Sequence, residues 1–179
     1  MALERLWAPW RSIYVAGLDG GDSDPDAAAD SDAGQGEGTL FERILAACEP
    51  DEKTGILWRG RSCFVVLNAH PYGSGHLMVV PNRPVVDLGD LTESESQELW
   101  RTVTTAVAAI RRAYNPEGIN VGINIGVAAG AGVPNHLHVH CLPRWQGDTN
   151  FTTTVAETRV LPEPLSESWA KLKRAWDES

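Results

Sequence analysis

The sequence predicts an α+β domain in which one long helix packs on a five-stranded antiparallel sheet. Three observations support this fold class. Short apolar runs are separated by Gly- and Pro-containing turns, as in hairpins. A single long amphipathic segment, 91–114, has helical spacing. Apolar residues make up 42% of the 179 residues, which is enough for a core.

Local signals place the first elements in order. Thr39 is an N-cap ahead of a short helix with apolar residues at helical spacing. Two strands, Ile56–Arg59 and Cys63–Leu67, are separated by a glycine turn. The loop 68–75 contains Pro and Gly and leads to a third strand at 76–80, so these two strands form a hairpin.

The later elements have clearer signatures. Thr92 and Glu95 form a capping box at the start of the long helix, whose apolar stripe is Leu99, Val103, Ala106 or Val107, Ile110 and Tyr114. Alternation with period two predicts strands at 119–125 and 136–142. The segment 165–176 is predicted as a C-terminal helix.

Composition divides the chain into four parts: an N-terminal aromatic segment (1–18), an acidic flexible loop (19–38), a central folded domain (39–151) and a C-terminal extension with a helix (152–179). The acidic loop holds seven acids and no base, so removing it changes the net charge from −9 to about −2. A nearly neutral domain lacks the broad basic surface that duplex nucleic acid requires.

Other partners and compartments are restricted by the same sequence. No apolar run approaches the roughly 20 residues of a membrane-spanning helix, and the N-terminus lacks the pattern of a signal peptide. The three cysteines form no Cys-x-x-Cys pair, which argues against a disulfide framework or a cysteine-rich zinc site. We therefore expect a cytoplasmic protein.

Three of the five histidines alternate along one predicted strand, so His136, His138 and His140 should share one face. A packed core would use Val or Ile there, because each neutral imidazole needs partners for both ring nitrogens. Two functions fit such a face. One is a metal site, although no acidic ligand is close in sequence. The other is nucleophilic catalysis on phosphorus.

The run 136–142 matches the His-φ-His-φ-His-φ-φ signature of the histidine triad superfamily, and the chain resembles that family. The segments 64–68 and 75–81 resemble the family's nucleoside-binding hairpin, and 122–126 resembles the strand before its phosphate loop. The flanks 6–11 and 143–151 are similar to the bacterial diadenosine tetraphosphate phosphorylase branch.

The resemblance implies catalytic roles for four histidines. His138 would be the nucleophile that takes the nucleotidyl group, with its other ring nitrogen donating to a backbone carbonyl. His140 would contact the phosphate and the bridging oxygen. His136 and His76 would complete a hydrogen-bonded cluster behind the nucleophile. Like charges at this spacing should also disfavour protonation of the triad.

The resemblance also implies that six further residues bind the nucleotide: Asn124, Asn68, Phe64, Val66, Gly132 and Trp145. Asn124 would bind a phosphate oxygen or only satisfy backbone, and Asn68 would hold the ribose hydroxyls. Phe64 and Val66 would line the base pocket. The glycine belongs to the phosphate loop, and the tryptophan covers the nucleotide or lies in a subunit contact. Arg144 would bind phosphate or a structural carboxylate.

The implied activity is a nucleotidyltransferase that cleaves dinucleoside polyphosphates, with adenine nucleotide as substrate and inorganic phosphate as acceptor. A hydrolase of the same bonds or of nucleoside phosphoramidates is the alternative, and a three-histidine metal protein is a remote one. No cofactor is implied. We expect no structural zinc, because 39–42 lacks the family's cysteine pair.

Two further expectations concern the leaving group and assembly. The loop 127–133 has no hydroxyl residue, so the sequence leaves open how the leaving group is protonated. The family pairs through its long helix and a sheet edge, which implies a homodimer or a homotetramer here. Trp100 on the exposed side of the long helix adds apolar surface for that contact.

Overall fold

The computed structural model describes residues 38–148 and 163–178. The strands are β1 (Ile56–Arg59), β2 (Cys63–Leu67), β3 (Leu77–Pro81), β4 (Gly118–Ile123) and β5 (Val139–Arg144). They form one antiparallel sheet in the order β1-β2-β3-β5-β4, which confirms the predicted sheet. The predicted aromatic segment, all of the acidic loop except Gly38, and residues 149–162 lie outside the described residues.

Four α-helices complete this part of the chain: α1 (Leu40–Ala46), α2 (Asp51–Thr54), α3 (Glu93–Tyr114) and α4 (Leu165–Asp177). Thr39 and Thr92 cap α1 and α3, and each forms a complete capping box with the glutamate three residues on. Asn115, in the left-handed conformation, ends α3. No helix of the described residues is long and apolar enough to cross a membrane.

The two faces of the sheet carry separate apolar clusters because strand side chains alternate. One face, which we call the helix face, packs against α3 and α4. Its sheet residues are Leu57, Cys63, Val65, Leu67, Leu77, Val79, Val139 and Cys141. The opposite face, which we call the α1 face, buries Phe64, Val66, Met78 and Val80 against Phe41 of α1. Of the two alternatives in the predicted stripe of α3, the structure buries Ala106 fully and Val107 only partly.

The last strand begins later than predicted. β5 starts at Val139, so His136 and His138 precede the strand and only His140 lies within it. The ladder with β3 runs from Leu77↔Cys141 to Val79↔Val139 and stops there. Pro81, two residues further along β3, has no N–H to continue the ladder, and its carbonyl accepts a hydrogen bond from the His136 side chain instead.

The hairpin loop ends at a glycine that the packing requires. Gly75 has φ +76°, a conformation that residues with a Cβ rarely adopt. A Cβ at this position would also lie 2.5 Å from the ring of Tyr114 at the end of α3. The residue before His76 therefore lies directly against the last turn of α3.

Replacing Gly75 by alanine should lower the free energy of unfolding by about 1–3 kcal/mol, because the methyl group overpacks against Tyr114 and strains the backbone. Urea unfolding of the variant measures this loss. Gly73→Ala is the matched control, since nothing in the described residues lies within 4 Å of a Cβ there. Equal stabilities for the two variants would contradict the prediction.

Candidate active site

Four histidines are buried near the start of β5. The exposed fractions of His76, His136, His138 and His140 are 0%, 0%, 4% and 8%. His140 pairs with Met78 of β3 and therefore lies on the α1 face. The structure thus brings together the four histidines that the sequence analysis assigned to catalysis.

His138 is held in one tautomer by the backbone. Its Nδ1 lies 2.9 Å from the carbonyl oxygen of His136. A carbonyl oxygen only accepts, so Nδ1 carries the proton of the neutral ring and Nε2 carries the lone pair. The ring of Phe41 packs against this imidazole with ring centroids 5.2 Å apart.

His136 links α1 to the end of β3. Its Nε2 donates to the carbonyl oxygen of Pro81 at 2.8 Å, and its Nδ1 accepts from the hydroxyl of Thr39 at 2.7 Å. Both ring nitrogens are therefore occupied by structural partners. The Phe41 ring meets this imidazole edge-on at 5.3 Å.

His76 and His140 are hydrogen bonded to each other, and the His140 ring also meets that of His138 edge-on at 4.8 Å. Nε2 of His76 lies 3.0 Å from Nδ1 of His140, and the ring of Tyr72 packs against both imidazoles. The sequence analysis expected His136 and His76 to complete a hydrogen-bonded histidine cluster behind His138, and the structure supplies the individual contacts. His76 contacts His140, and His136 contributes its carbonyl to His138.

Burial lowers the pKa of two triad histidines. Desolvation is the main cause for both: it lowers the pKa of His140 to about 4, and it lowers that of His136 despite the hydrogen bond to Pro81. The charge of His138 acts in the same direction and is the smaller effect at both sites. The expectation of neutral imidazoles is met for these two, but repulsion between neighbours is not the leading cause.

The glycine-rich loop is closed by Asn124. Its side-chain amide donates to the carbonyl oxygen of Gly130 at 3.2 Å. Of the two roles considered for Asn124, the structure shows the hydrogen bond to backbone. Gly126 and Gly130 have positive φ values of 80° and 87°, which turn the loop sharply. Gly132 lies half-buried in the same loop, before the triad.

The predicted base-pocket residues are not accessible. Phe64 and Val66 are 0% and 1% exposed, packed under α1. The prediction that they line the base pocket therefore has no exposed side-chain surface of these two residues to support it. Leu40 and Ile44 of α1 pack against the same cluster and are only partly buried, so they offer exposed apolar surface beside it.

The remaining predicted residues have mainly structural partners. Asn68 accepts from the backbone N–H of His70 at 2.9 Å and places its amide 3.4 Å from Nδ1 of His76. Arg144 pairs with the carboxylate of Asp148 at 2.6 Å, which is the structural alternative. Trp145 is half-buried, with its ring 6.1 Å from that of Tyr114.

The metal-site alternative finds no support in the part of the chain that the structure describes. Within residues 38–148 and 163–178, no group of three His, Cys, Asp or Glu is placed to hold a metal ion. The triad histidines also lack a common focus, because both nitrogens of His136 face protein partners.

Three site contacts were absent from the sequence-based assignment: the Thr39 hydroxyl, the Phe41 ring and the Tyr72 backbone N–H, which donates to Nδ1 of His76 at 3.1 Å. Thr39 and Phe41 were recognised only as a helix cap and a core position. Thr39 and His136 are 97 residues apart, so no local pattern could have paired them. The best available signal for Tyr72 was its place in the hairpin loop that leads to His76.

The fold and the site define a class of α+β domain with a buried histidine cluster beside its sheet, and comparison with known proteins identifies the family. The HIT domain model matches residues 50–147. The AP-4-A phosphorylase of Mycobacterium tuberculosis is 38% identical over 97% of this chain and 85% of its own length. The chain therefore belongs to the HIT, or histidine triad, family.

Two more relatives extend the comparison. A bis(5'-nucleosyl)-tetraphosphatase of Schizosaccharomyces pombe is 37% identical over 52% of this chain and 50% of its own length. A zinc-bound histidine triad protein from Mycobacterium smegmatis has a TM-score of 0.62 at 26% identity, covering 78% of this chain and 93% of that one. Like its named relatives, the chain is an enzyme of the phosphorylase or hydrolase kind.

The lowered pKa of His140 predicts a loss of stability in acid. Between pH 6.5 and about 4 the unfolded chain binds a proton that the folded chain does not, so the free energy of unfolding falls as the pH falls. Each unit of lowered pKa is worth about 1.4 kcal/mol. Urea unfolding at pH 7 and pH 4.5 should therefore show a smaller pH dependence for His140→Gln than for the wild type.

The exposed His70 supplies the control, since His70→Gln removes a histidine without removing a buried one. This variant should keep the wild-type pH dependence. An unchanged pH dependence in His140→Gln would show that His140 is not protonated less readily in the folded chain.

Proposed function

We propose that the chain is a nucleotidyltransferase that cleaves dinucleoside polyphosphates, with His138 as the nucleophile and inorganic phosphate as the acceptor. The hydrogen bond from His138 Nδ1 to the carbonyl oxygen of His136 carries this proposal. It leaves the lone pair on Nε2, the atom that a nucleophilic imidazole must present.

The reaction proceeds in two displacements. His138 Nε2 attacks the α-phosphorus, the P–O bond to the bridging oxygen breaks, and the nucleoside polyphosphate leaves with the electron pair. The imidazolium of the nucleotidyl-histidine keeps its Nδ1 proton, which the His136 carbonyl stabilises. An oxygen of inorganic phosphate then attacks the same phosphorus, and the P–N bond returns its electron pair to Nε2.

The relatives favour this reaction over two alternatives. A relative named AP-4-A phosphorylase matches nearly the whole chain, which supports phosphate as acceptor and an adenine nucleotide as substrate. The relatives named tetraphosphatase and triphosphatase match about half of it, and they support hydrolysis of the same bonds as the second candidate. The partly exposed Leu40 and Ile44 offer an apolar surface for the base.

The test is the product mixture from diadenosine tetraphosphate. With inorganic phosphate present, the wild type should form ADP and ATP. His138→Asn should form neither, because the covalent step is lost, while nucleotide binding measured by calorimetry stays within about threefold of wild type.

His70→Asn is the matched control and should turn over at the wild-type rate, since His70 is exposed in the hairpin loop. If the products are AMP and ATP, with or without phosphate, the acceptor is water and the enzyme is a hydrolase. More than a few per cent of wild-type kcat in His138→Asn would show that another group is the nucleophile.

The assembly that fits this surface is a homodimer, or a tetramer built from it. Trp100 on α3 and Val121 on β4 are each 43% exposed, and β4 is an edge strand of the sheet. An edge strand with an exposed apolar side chain, and an exposed tryptophan on the long helix, are each suited to contact with a second copy. The three free thiols, Cys48, Cys63 and Cys141, fit a reducing cytoplasm.

Light scattering at micromolar concentration should give the mass of a dimer or tetramer for the wild type. Trp100→Glu should shift the mass toward the monomer, because a charge would be buried in the contact. Leu165→Glu introduces the same charge at a residue of similar exposure on α4 and should leave the mass unchanged. A monomeric wild type would refute the proposed assembly.

A further inference from the structure

We propose that a cavity on the helix face binds a free mononucleotide, at a site separate from the buried histidines. We call it the helix-face cavity, and residues of β1, the β1–β2 turn, α3 and α4 line it. Such a site goes beyond the proposed reaction, because none of its lining residues belongs to the histidine cluster or to the predicted nucleotide-binding set.

The sheet separates this cavity from the histidines. Trp58 and Trp176 of the cavity wall pack against the apolar cluster of the helix face, whereas His140 lies on the α1 face. The cavity has a volume of about 460 Å³, and small-molecule sites typically span about 300–1,000 Å³. A ligand in this cavity would therefore leave the α1 face open.

Two tryptophans form an aromatic wall of the helix-face cavity. The ring centroids of Trp58 and Trp176 lie 5.7 Å apart with the rings tilted by 38°, and Trp58 is half-buried. Gly60 lets the Trp58 ring fold back over the β1–β2 turn, because a Cβ there would lie 2.3 Å from that ring. The exposed part of an indole is a flat surface on which a nucleobase stacks.

Two arginines supply positive charge at the same cavity. Arg61 of the β1–β2 turn and Arg101 of α3 line it, and both are exposed. Within the part of the chain that the structure describes, neither guanidinium forms a hydrogen bond or an ion pair. Other arginines are paired with carboxylates, namely Arg59, Arg83 and Arg144. A guanidinium without a carboxylate partner is suited to bind a phosphate group through its paired N–H donors.

The one carboxylate in the described cavity wall is already engaged by the turn. Glu98 accepts from the backbone N–H of Ser62 at 2.9 Å. Burial alone would raise the pKa of Glu98, but hydrogen bonds from Ser62 and from the backbone of Arg61 and Cys63 lower it overall. The carboxylate is therefore ionised and directed at the turn. With two arginines and one glutamate, the cavity wall keeps an excess of positive charge.

The turn that carries Arg61 is also held from the end of β3. The side-chain amide of Asn82 donates to the carbonyl oxygens of Gly60 and Arg61 at 3.2 and 3.0 Å. The backbone N–H of Asn82 donates to the carbonyl oxygen of Ser62 at 2.8 Å. Arg61 therefore projects from a preformed turn, which lowers the entropic cost of binding a ligand there.

The combination of indole and guanidinium groups favours a nucleotide over other occupants. An apolar peptide would desolvate both arginines without offering them acceptors, which is costly for a charged group. A simple anion would leave the tryptophans unused. A mononucleotide supplies a base for the indoles and phosphate oxygens for the arginines. The hydroxyl of Thr105 donates to the carbonyl oxygen of Arg101 at 3.2 Å, so it remains free to accept from a ribose hydroxyl.

Nuclear magnetic resonance of ¹⁵N-labelled indole groups tests the site without any activity measurement. The chain has seven tryptophans, and Trp58→Phe and Trp176→Phe identify the two signals of interest. Addition of ADP should shift both signals to a saturating value. The signal of Trp100, which lies on α3 outside the cavity wall, should stay in place.

Arginine variants and partial ligands test the chemistry of recognition. Arg61→Gln combined with Arg101→Gln should weaken ADP binding at these two signals by about tenfold or more, because both phosphate donors are lost. Arg111→Gln is the matched control, since Arg111 is an exposed arginine of α3 outside the cavity wall, and it should leave the affinity unchanged. Adenosine and pyrophosphate should each bind more weakly than ADP, since each makes only part of the contacts.

Three results would overturn the proposal. One is the absence of a shift at Trp58 and Trp176 with millimolar ADP. Another is an equal affinity for pyrophosphate, which would indicate a general anion site. The third is a shift that depends on protein concentration and not on ADP, which would indicate a subunit contact. His138→Asn should give the wild-type shifts, so a failure to cleave diadenosine tetraphosphate would count against the proposed function alone.

Discussion

The antiparallel pairing of β3 with β5 is the constraint on which the candidate site depends. It places Met78 opposite His140 and so brings His76, one residue before β3, against a ring 64 residues further along the chain. Val139 and Cys141, both fully buried, fix the register on the helix face. A slip of one residue would turn His140 to the wrong side of the sheet, so the apolar core on one face positions a polar group on the other.

The buried histidines illustrate how a site can tolerate several ionisable groups without charge. The carbonyl oxygens of Pro81 and His136 can only accept, so they fix which ring nitrogen of His136 and of His138 carries the proton. Burial disfavours the protonated form of His136 and of His140. Burial therefore favours the neutral form of these imidazoles, and local hydrogen bonds determine which ring nitrogen carries the proton.

The sequence predicted the fold class, the five strands and the identity of the four histidines, because these follow from periodicity and a specific motif. It could not predict that His136 and His138 lie outside β5. The β3–β5 ladder ends near Pro81, which lacks an N–H, and the sequence does not show which residues of β5 this proline faces. Nor could it pair Thr39 with His136, because that contact depends on tertiary packing. Alternation also could not show that Phe64 lies under α1.

The hairpin loop that precedes His76 packs tightly against the end of α3 at Gly75, because the Tyr114 ring fills the volume that a side chain would need. The hydroxyl of Tyr114 donates to the carboxylate of Glu163, which also accepts from Ser168 of α4 at 2.6 Å. These contacts form a mechanical linkage outside the sheet. A displacement of the C-terminal helix would therefore reach the histidine loop through these side chains, in addition to the direct contact that Trp169 makes with the carbonyl oxygen of Ile56 in β1.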